Sequence, residues 1–181
     1  MIFESGLGFV GILVAWLAGV SIHSRVQVTS PAIVRGLIAC LPMLVLMLAA
    51  SYSKWSPLVQ LRNQVETLVS EMFGGSSWLE LALICIAAGM GEELLFRGAL
   101  QPWLGQLTGP TVAIIGIGLL FGLAHSLSKI YFVAATLIGC YLGWLTEAYD
   151  DLVAPIVAHA VYDFVAILFI RRGLNKPGSE P

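Results

Sequence analysis

Leu79–Leu100 reads LELALICIAAGMGEELLFRGAL. It opens as hydrocarbon apart from Glu80, and only then carries two adjacent carboxylates and an arginine. About 20 predominantly apolar residues suffice to cross a bilayer as a helix. The stretch is therefore read as a membrane span with Glu92, Glu93 and Arg97 in its C-terminal part. His125, His159 and Asp163 share that placement, in or at the edges of other apolar segments. On insertion scales one Asp, Lys or Arg at the centre of a helix costs about 2.5–3.5 kcal/mol, so this cluster costs on the order of 10 kcal/mol in the wrong environment. Function is to be sought where that cost is accepted.

The rest of the chain agrees with a membrane solvent. Of 181 residues, 58% are hydrophobic and 11% charged, and the mean hydropathy is +0.89, far above soluble domains. At roughly 20 residues per span the length allows about six helices with short loops. The net charge of -2 and the absence of a basic tract leave no nucleic-acid footprint. Cys40, Cys85 and Cys140 each sit inside an apolar stretch without a CxxC or zinc-ribbon spacing, and read as small packing residues.

Apolar stretches fall at about Leu7–Ile22, Ala32–Ser51, Leu79–Leu100, Pro110–Leu127, Ile130–Glu147 and Leu152–Ile170. Most are apolar all round, as lipid-embedded helices are, and none shows the alternation of a membrane barrel. The N-terminal stretch lacks a basic n-region and is expected to be a retained first helix rather than a cleaved signal. Between the second and third stretches, Tyr52–Ser77 is more polar. There Leu58, Leu61, Val65 and Leu68 recur at helical spacing, which predicts an amphipathic helix at the interface. Pro102 and Gly105–Pro110 are expected to separate the third and fourth spans, and the tail from Arg171 is expected to be disordered. Gly118-x3-Gly122 and Gly139-x3-Gly143 place small residues one turn apart, where helix backbones approach closely.

The expected fold is all-α: a polytopic transmembrane bundle of about six spans with one interfacial helix. Residues 1–77 form its N-terminal membrane helices and interfacial segment, 78–170 its core, and 171–181 a polar tail, all in one integrated domain. Arg171, Arg172 and Lys176 in the tail, against Glu147, Asp150 and Asp151 in the preceding loop, place both termini in the cytoplasm by charge bias.

Glu93 and Arg97, four apart, share a helix face and are placed to pair. Glu92 points about 100° away, left toward the bundle centre. Phe121 precedes His125 by one turn on the same side, and His159 and Asp163 share one face of the last span. Bundled helices bring these groups to one polar cavity. A desolvated carboxylate there acts as general base toward water, a neutral histidine orients that water, and a second histidine with a polar neighbour bonds a developing oxyanion. The same set offers zinc ligands, with Glu92, His125 and His159 as candidates, although no HExxH is present.

In that order, Glu-Glu-x3-Arg (Glu92, Glu93, Arg97), Phe-x3-His (Phe121, His125) and His-x3-Asn/Asp (His159, Asp163) resemble the CPBP family. This is the CAAX-protease and bacteriocin-processing, or Abi, family, which includes the type II CAAX prenyl endopeptidases. The resemblance covers about Trp78–Ile170 and implies an intramembrane peptidase hydrolysing a membrane-associated or prenylated-type peptide. It implies that Glu92 with His125 activates water, that His159 and Asp163 line the oxyanion side, and that Glu93 and Arg97 form a structural ion pair with Phe121 in support. Its members include both metal-dependent and metal-free glutamate types, so the cofactor is none or zinc. The prenyl endopeptidases carry Asn where this chain has Asp163. An ionised Asp cannot donate to an oxyanion; Asp163 would serve protonated, by holding His159, or by supporting a metal. The rival reading from another class is a non-catalytic membrane protein: a scaffold, an immunity factor or a proton-coupled carrier.

Overall fold

The computed structural model describes residues 2–174 and is helical throughout, with no strand among the described residues. Its helices are α1 (Ile2–Leu17), α2 (Ser30–Tyr52), α3 (Ser56–Phe73), α4 (Trp78–Glu93), α5 (Gln101–Thr108), α6 (Pro110–Ala124), α7 (Lys129–Tyr149) and α8 (Val153–Leu174). A π-helical segment, Leu94–Leu100, joins α4 to α5, and a short 3-10 turn, His23–Arg25, follows α1. Three helices, α2, α7 and α8, are long and apolar enough to cross a membrane, and α1 and α6 are shorter apolar helices. Large apolar side chains such as Phe9, Leu41, Val45, Leu83, Ile115 and Leu137 stand exposed on the outside of the bundle. That surface suits a hydrocarbon solvent, and the chain is an integral membrane protein.

Close approaches fix the directions of the helices. A Cβ added at Gly118 would meet the Cys140 backbone nitrogen at 3.0 Å, and one at Gly122 would lie 2.9 Å from the Phe132 carbonyl. The glycine pairs noted in the sequence thus seat α6 antiparallel on α7. Gly89 does the same for α4 against α8, where a Cβ would fall 2.9 Å from the Ala160 nitrogen. Arg171 confirms the antiparallel sense at the other end, since its guanidinium donates to the Ser76 carbonyl at 2.9 Å. Because Gly89 lies one turn before Glu93 and Ala160 adjoins His159, this contact sets the distance between the two halves of the polar cluster. A Gly89→Val variant is expected to lose about 1–3 kcal/mol by overpacking, read as a lower unfolding temperature in detergent. Gly6→Ala, whose Cβ meets nothing within 4 Å, is the neutral control.

The start of α8 is fixed by polar groups at the opposite end. Asp151 caps it, accepting from the Val153 and Ala154 nitrogens at 2.8 and 3.3 Å. Arg25 pairs with Asp150 at 2.7 Å, and its carbonyl accepts from the Leu152 nitrogen. His159 is therefore held at a defined height in the bundle.

Several boundaries depart from expectation. The first helix ends at Leu17 rather than Ile22, because Gly19 takes a positive φ of 67° that turns the chain. Helix does not stop at Pro102: it continues to Thr108 through the π segment, in which the Gln101 nitrogen reaches back five residues to the Phe96 carbonyl. Pro102 directly follows that five-residue bond, at the junction of the π segment with α5. The tail is helical through Arg171 and Arg172 to Leu174, with cations where the helix dipole favours them; the expected disorder of 175–181 lies outside the described residues. The amphipathic helix is α3, and its apolar residues line a cavity inside the bundle.

Candidate active site

Three helices and the π segment deliver the polar cluster. Glu92 and Glu93 end α4, Arg97 lies in the π segment, His125 closes α6, and His159 and Asp163 sit one turn apart on α8. Arg97 and Glu93 are fully buried, with 0% exposure. Arg97 Nη1 donates to Glu93 Oε1 at 2.7 Å, and Nη2 donates to the Gly139 carbonyl on α7 at 2.9 Å. Such a pair is tolerated in a low dielectric because the two charges are matched, although Glu93 Oε2 and Arg97 Nε find no partner among the described residues.

Glu93 has a second partner that helical spacing does not show. Its Oε1 lies 2.8 Å from His159 Nδ1. The other ring nitrogen, Nε2, lies 3.4 Å from Asp163 Oδ2. His159 is thus flanked by a carboxylate at each nitrogen, and its plane is set from both sides.

Glu92 is turned to a different partner. Its Oε2 lies 3.3 Å from His125 Nε2, yet this buried oxygen takes no hydrogen bond from any described residue. His125 Nδ1 meets the Phe121 carbonyl at 2.9 Å. A carbonyl only accepts, so Nδ1 carries a proton, and Nε2 is the nitrogen left facing Glu92. His125 owes this orientation to its place as the α6 C-cap, at φ -106° and ψ 11°.

Phe121 ties the two histidines and the arginine together. Its ring stacks on His125 at 4.3 Å between centroids, meets His159 edge-on at 5.9 Å, and lies 4.5 Å from the Arg97 guanidinium carbon. Cation–π and stacking contacts of this kind replace water around the polar groups.

The site opens into a cavity of about 360 Å³ lined by Glu92, Phe121, His125, His159 and Asp163, by Ser51 and Arg62, and otherwise mostly by apolar side chains. Tyr131 and Tyr162 line it as well. Sequence reasoning passed over both, since tyrosines in apolar helices carry no motif. The candidate zinc ligands Glu92, His125 and His159 do not form a cradle: no group of three His, Cys, Asp or Glu side chains is placed to hold a metal among the described residues. Both nitrogens of His159 already face carboxylates, while His125, with Nδ1 on a carbonyl, keeps only Nε2 to offer. As placed, the described side chains offer Glu92 and His125 Nε2 toward one point, fewer donors than the three protein ligands of a catalytic zinc site.

The family model described as Type II CAAX prenyl endopeptidase Rce1-like matches residues 74–165. That stretch begins in the α3–α4 linker and ends just past Asp163, so it takes in every side chain of the cluster. No curated protein and no solved structure matches the chain. With half of its length matched, and with helices long and apolar enough for a membrane, the chain belongs to the Rce1-like family of type II CAAX prenyl endopeptidases.

Proposed function

We propose that the protein is an intramembrane endopeptidase of the glutamate type, cleaving a membrane-associated or prenylated-type peptide at the inner end of its cavity. The observation that carries this reading is Glu92 Oε2: buried, 3.3 Å from His125 Nε2, and without a hydrogen bond from a described residue. Glu93 Oε2 is likewise unpartnered among the described residues, but only Glu92 lines the cavity, which makes it the carboxylate placed to take a proton from water. The water oxygen bonds to the scissile carbonyl carbon as its proton passes to Glu92, with His125 orienting it. The carbonyl becomes an oxyanion, the C–N bond then breaks, and the proton returns to the leaving amine.

His159 faces the oxyanion side. Its Nδ1 is held by Glu93 at 2.8 Å, whereas Nε2 makes only a looser 3.4 Å contact with Asp163, so an N–H at Nε2 is the donor that can turn to a developing oxyanion in a water-poor site. Asp163 acts through His159, because an ionised carboxylate cannot itself donate to the oxyanion. Glu93 and Arg97 are positioning residues, the first holding His159 and the second balancing Glu93.

In the same reading the bundle crosses the membrane six times, with 1–77 as N-terminal helices, 78–170 as the catalytic core and 171–181 as a tail. Lys54, Arg62, Arg171 and Arg172 gather at the end where α8 finishes, which makes that end cytoplasmic by the positive-inside rule.

The test is hydrolysis of membrane peptides by purified protein, with products identified by mass spectrometry before and after chelation. Cleavage that survives chelation is expected. Loss on chelation with return on adding zinc would restore the metal-dependent mechanism. Identical peptide profiles from membranes carrying intact protein and Glu92→Gln would end the peptidase reading in favour of a scaffold or carrier.

A further inference from the structure

α6 ends beside Glu92, and the chain then bends through His125–Ser128 before α7 begins at Lys129. Glu92 lies roughly 21 Å along α4 from its start at Trp78, and His159 roughly 18 Å along α8 from Arg171, at about 1.5 Å per residue. Those two helix ends meet, since Arg171 donates to the Ser76 carbonyl. The bend therefore lies well below the end of the bundle they define, in a membrane whose hydrocarbon is about 30 Å thick.

Irregular backbone at such depth is stable only where protein buries it or where it lines water. Protein does not bury this bend: Ala124, Ser126, Leu127 and Lys129 are all exposed. A lysine turned to lipid would be costly as well. A hollow of about 280 Å³ lies against the bend, bordered by Ala124, Ser126 and His125. Leu68, His125, Leu127 and Tyr131 line both this hollow and the main cavity, so they form the partition between the two. Within the Glu92–His125 contact the histidine is the more open partner, its side chain 28% exposed against 12% for Glu92.

The peptidase reading creates a need that the main cavity does not meet. Each bond hydrolysed consumes one water, and a peptide seated in the main cavity closes that approach to Glu92. The hollow reaches the same histidine without passing through that cavity. We propose that it is the water inlet of the site: water held by Ser126 and by the carbonyls of the bend passes His125 to Glu92 while substrate fills the main cavity. This inference rests on the peptidase reading, and its test tells the two apart.

Full-length protein in lipid vesicles is compared with three variants on one cleavable membrane peptide. Ala124→Trp, which fills the hollow from an exposed position, is expected to lower kcat and kcat/KM alike by about tenfold or more, with KM unchanged. Ala124→Ser is expected to keep the parental kcat, as is Val133→Trp, at an exposed position bordering neither cavity. The water is then located directly. Glu92→Gln protein, expected to bind the peptide without cutting it, is pulsed with hydroxyl radicals in the presence and absence of that peptide. The peptide is expected to shield Met43 and Met47 of the main cavity and to leave Tyr131 oxidised. Adding Ala124→Trp to Glu92→Gln is expected to remove the Tyr131 label. Parental kcat in Ala124→Trp, or Tyr131 shielded together with Met43, overturns the proposal. So does a low kcat with the Tyr131 label unchanged by Ala124→Trp, because the substitution then acts through packing. Absence of cleavage by the parent protein, with Tyr131 oxidised beside a bound peptide, defeats the peptidase reading and takes the inlet with it.

Discussion

Glu92→Gln is expected to lower kcat by about 10²–10⁴-fold, the usual contribution of a positioned general base, while leaving the unfolding temperature close to that of the parent. Gln keeps the size of the side chain and removes only the basic oxygen. The contact this oxygen makes is with His125 Nε2 at 3.3 Å, and the buried guanidinium is bonded to Glu93 instead. His125→Ala is expected to fall in the same range. On the proposed mechanism the two groups act on one water, so Glu92→Gln combined with His125→Ala should cost little more than either alone. The check is kcat on a cleavable membrane peptide for all three variants, with unfolding curves beside them. Full hydrolysis by Glu92→Gln would remove Glu92 from the chemistry.

The membrane character of the chain was legible because composition alone sets it, and the Glu93–Arg97 contact because four residues on a helix share a face. The contact of Glu93 with His159, 66 residues apart, was not. Spacing within a helix says nothing about the partner helix, and the oxygen shared by Arg97 and His159 depends on how closely Gly89 lets α8 approach. The π segment left no mark in composition. Pro102 reads as a breaker when α-helical geometry is assumed, whereas a bond reaching back five residues shifts the register just before it. α3 shows a third limit. Its apolar period is the same whether the stripe faces lipid or a cavity, so the helix was found and its orientation was not. The first stretch was overextended for a simpler reason: Val20 and Ile22 are apolar, but Gly19 had already turned the chain.

Arg97→Met is expected to cost about 3–5 kcal/mol of stability, the scale for breaking a buried ion pair from one side. Glu93 would remain at 0% exposure with its cation gone, and the Gly139 carbonyl would lose its donor. Glu93→Gln is expected to be costly for the mirror reason, since the guanidinium would then stand buried without a countercharge. Joining the two changes removes both charges together, so the double variant should be more stable than the sum of the single losses predicts. Activity should not follow stability. The double variant still lacks the carboxylate that faces His159 Nδ1 at 2.8 Å, so on the proposed mechanism the ring, held only by the 3.4 Å contact with Asp163, loses the alignment of Nε2 on which kcat depends. Unfolding curves and kcat measured on the three proteins separate these effects. Recovery of stability without recovery of kcat would place Glu93 in the alignment of His159; recovery of both would reduce the pair to a support for the fold, and Arg97→Met unfolding like the parent would show that the pair does not hold the helices at all.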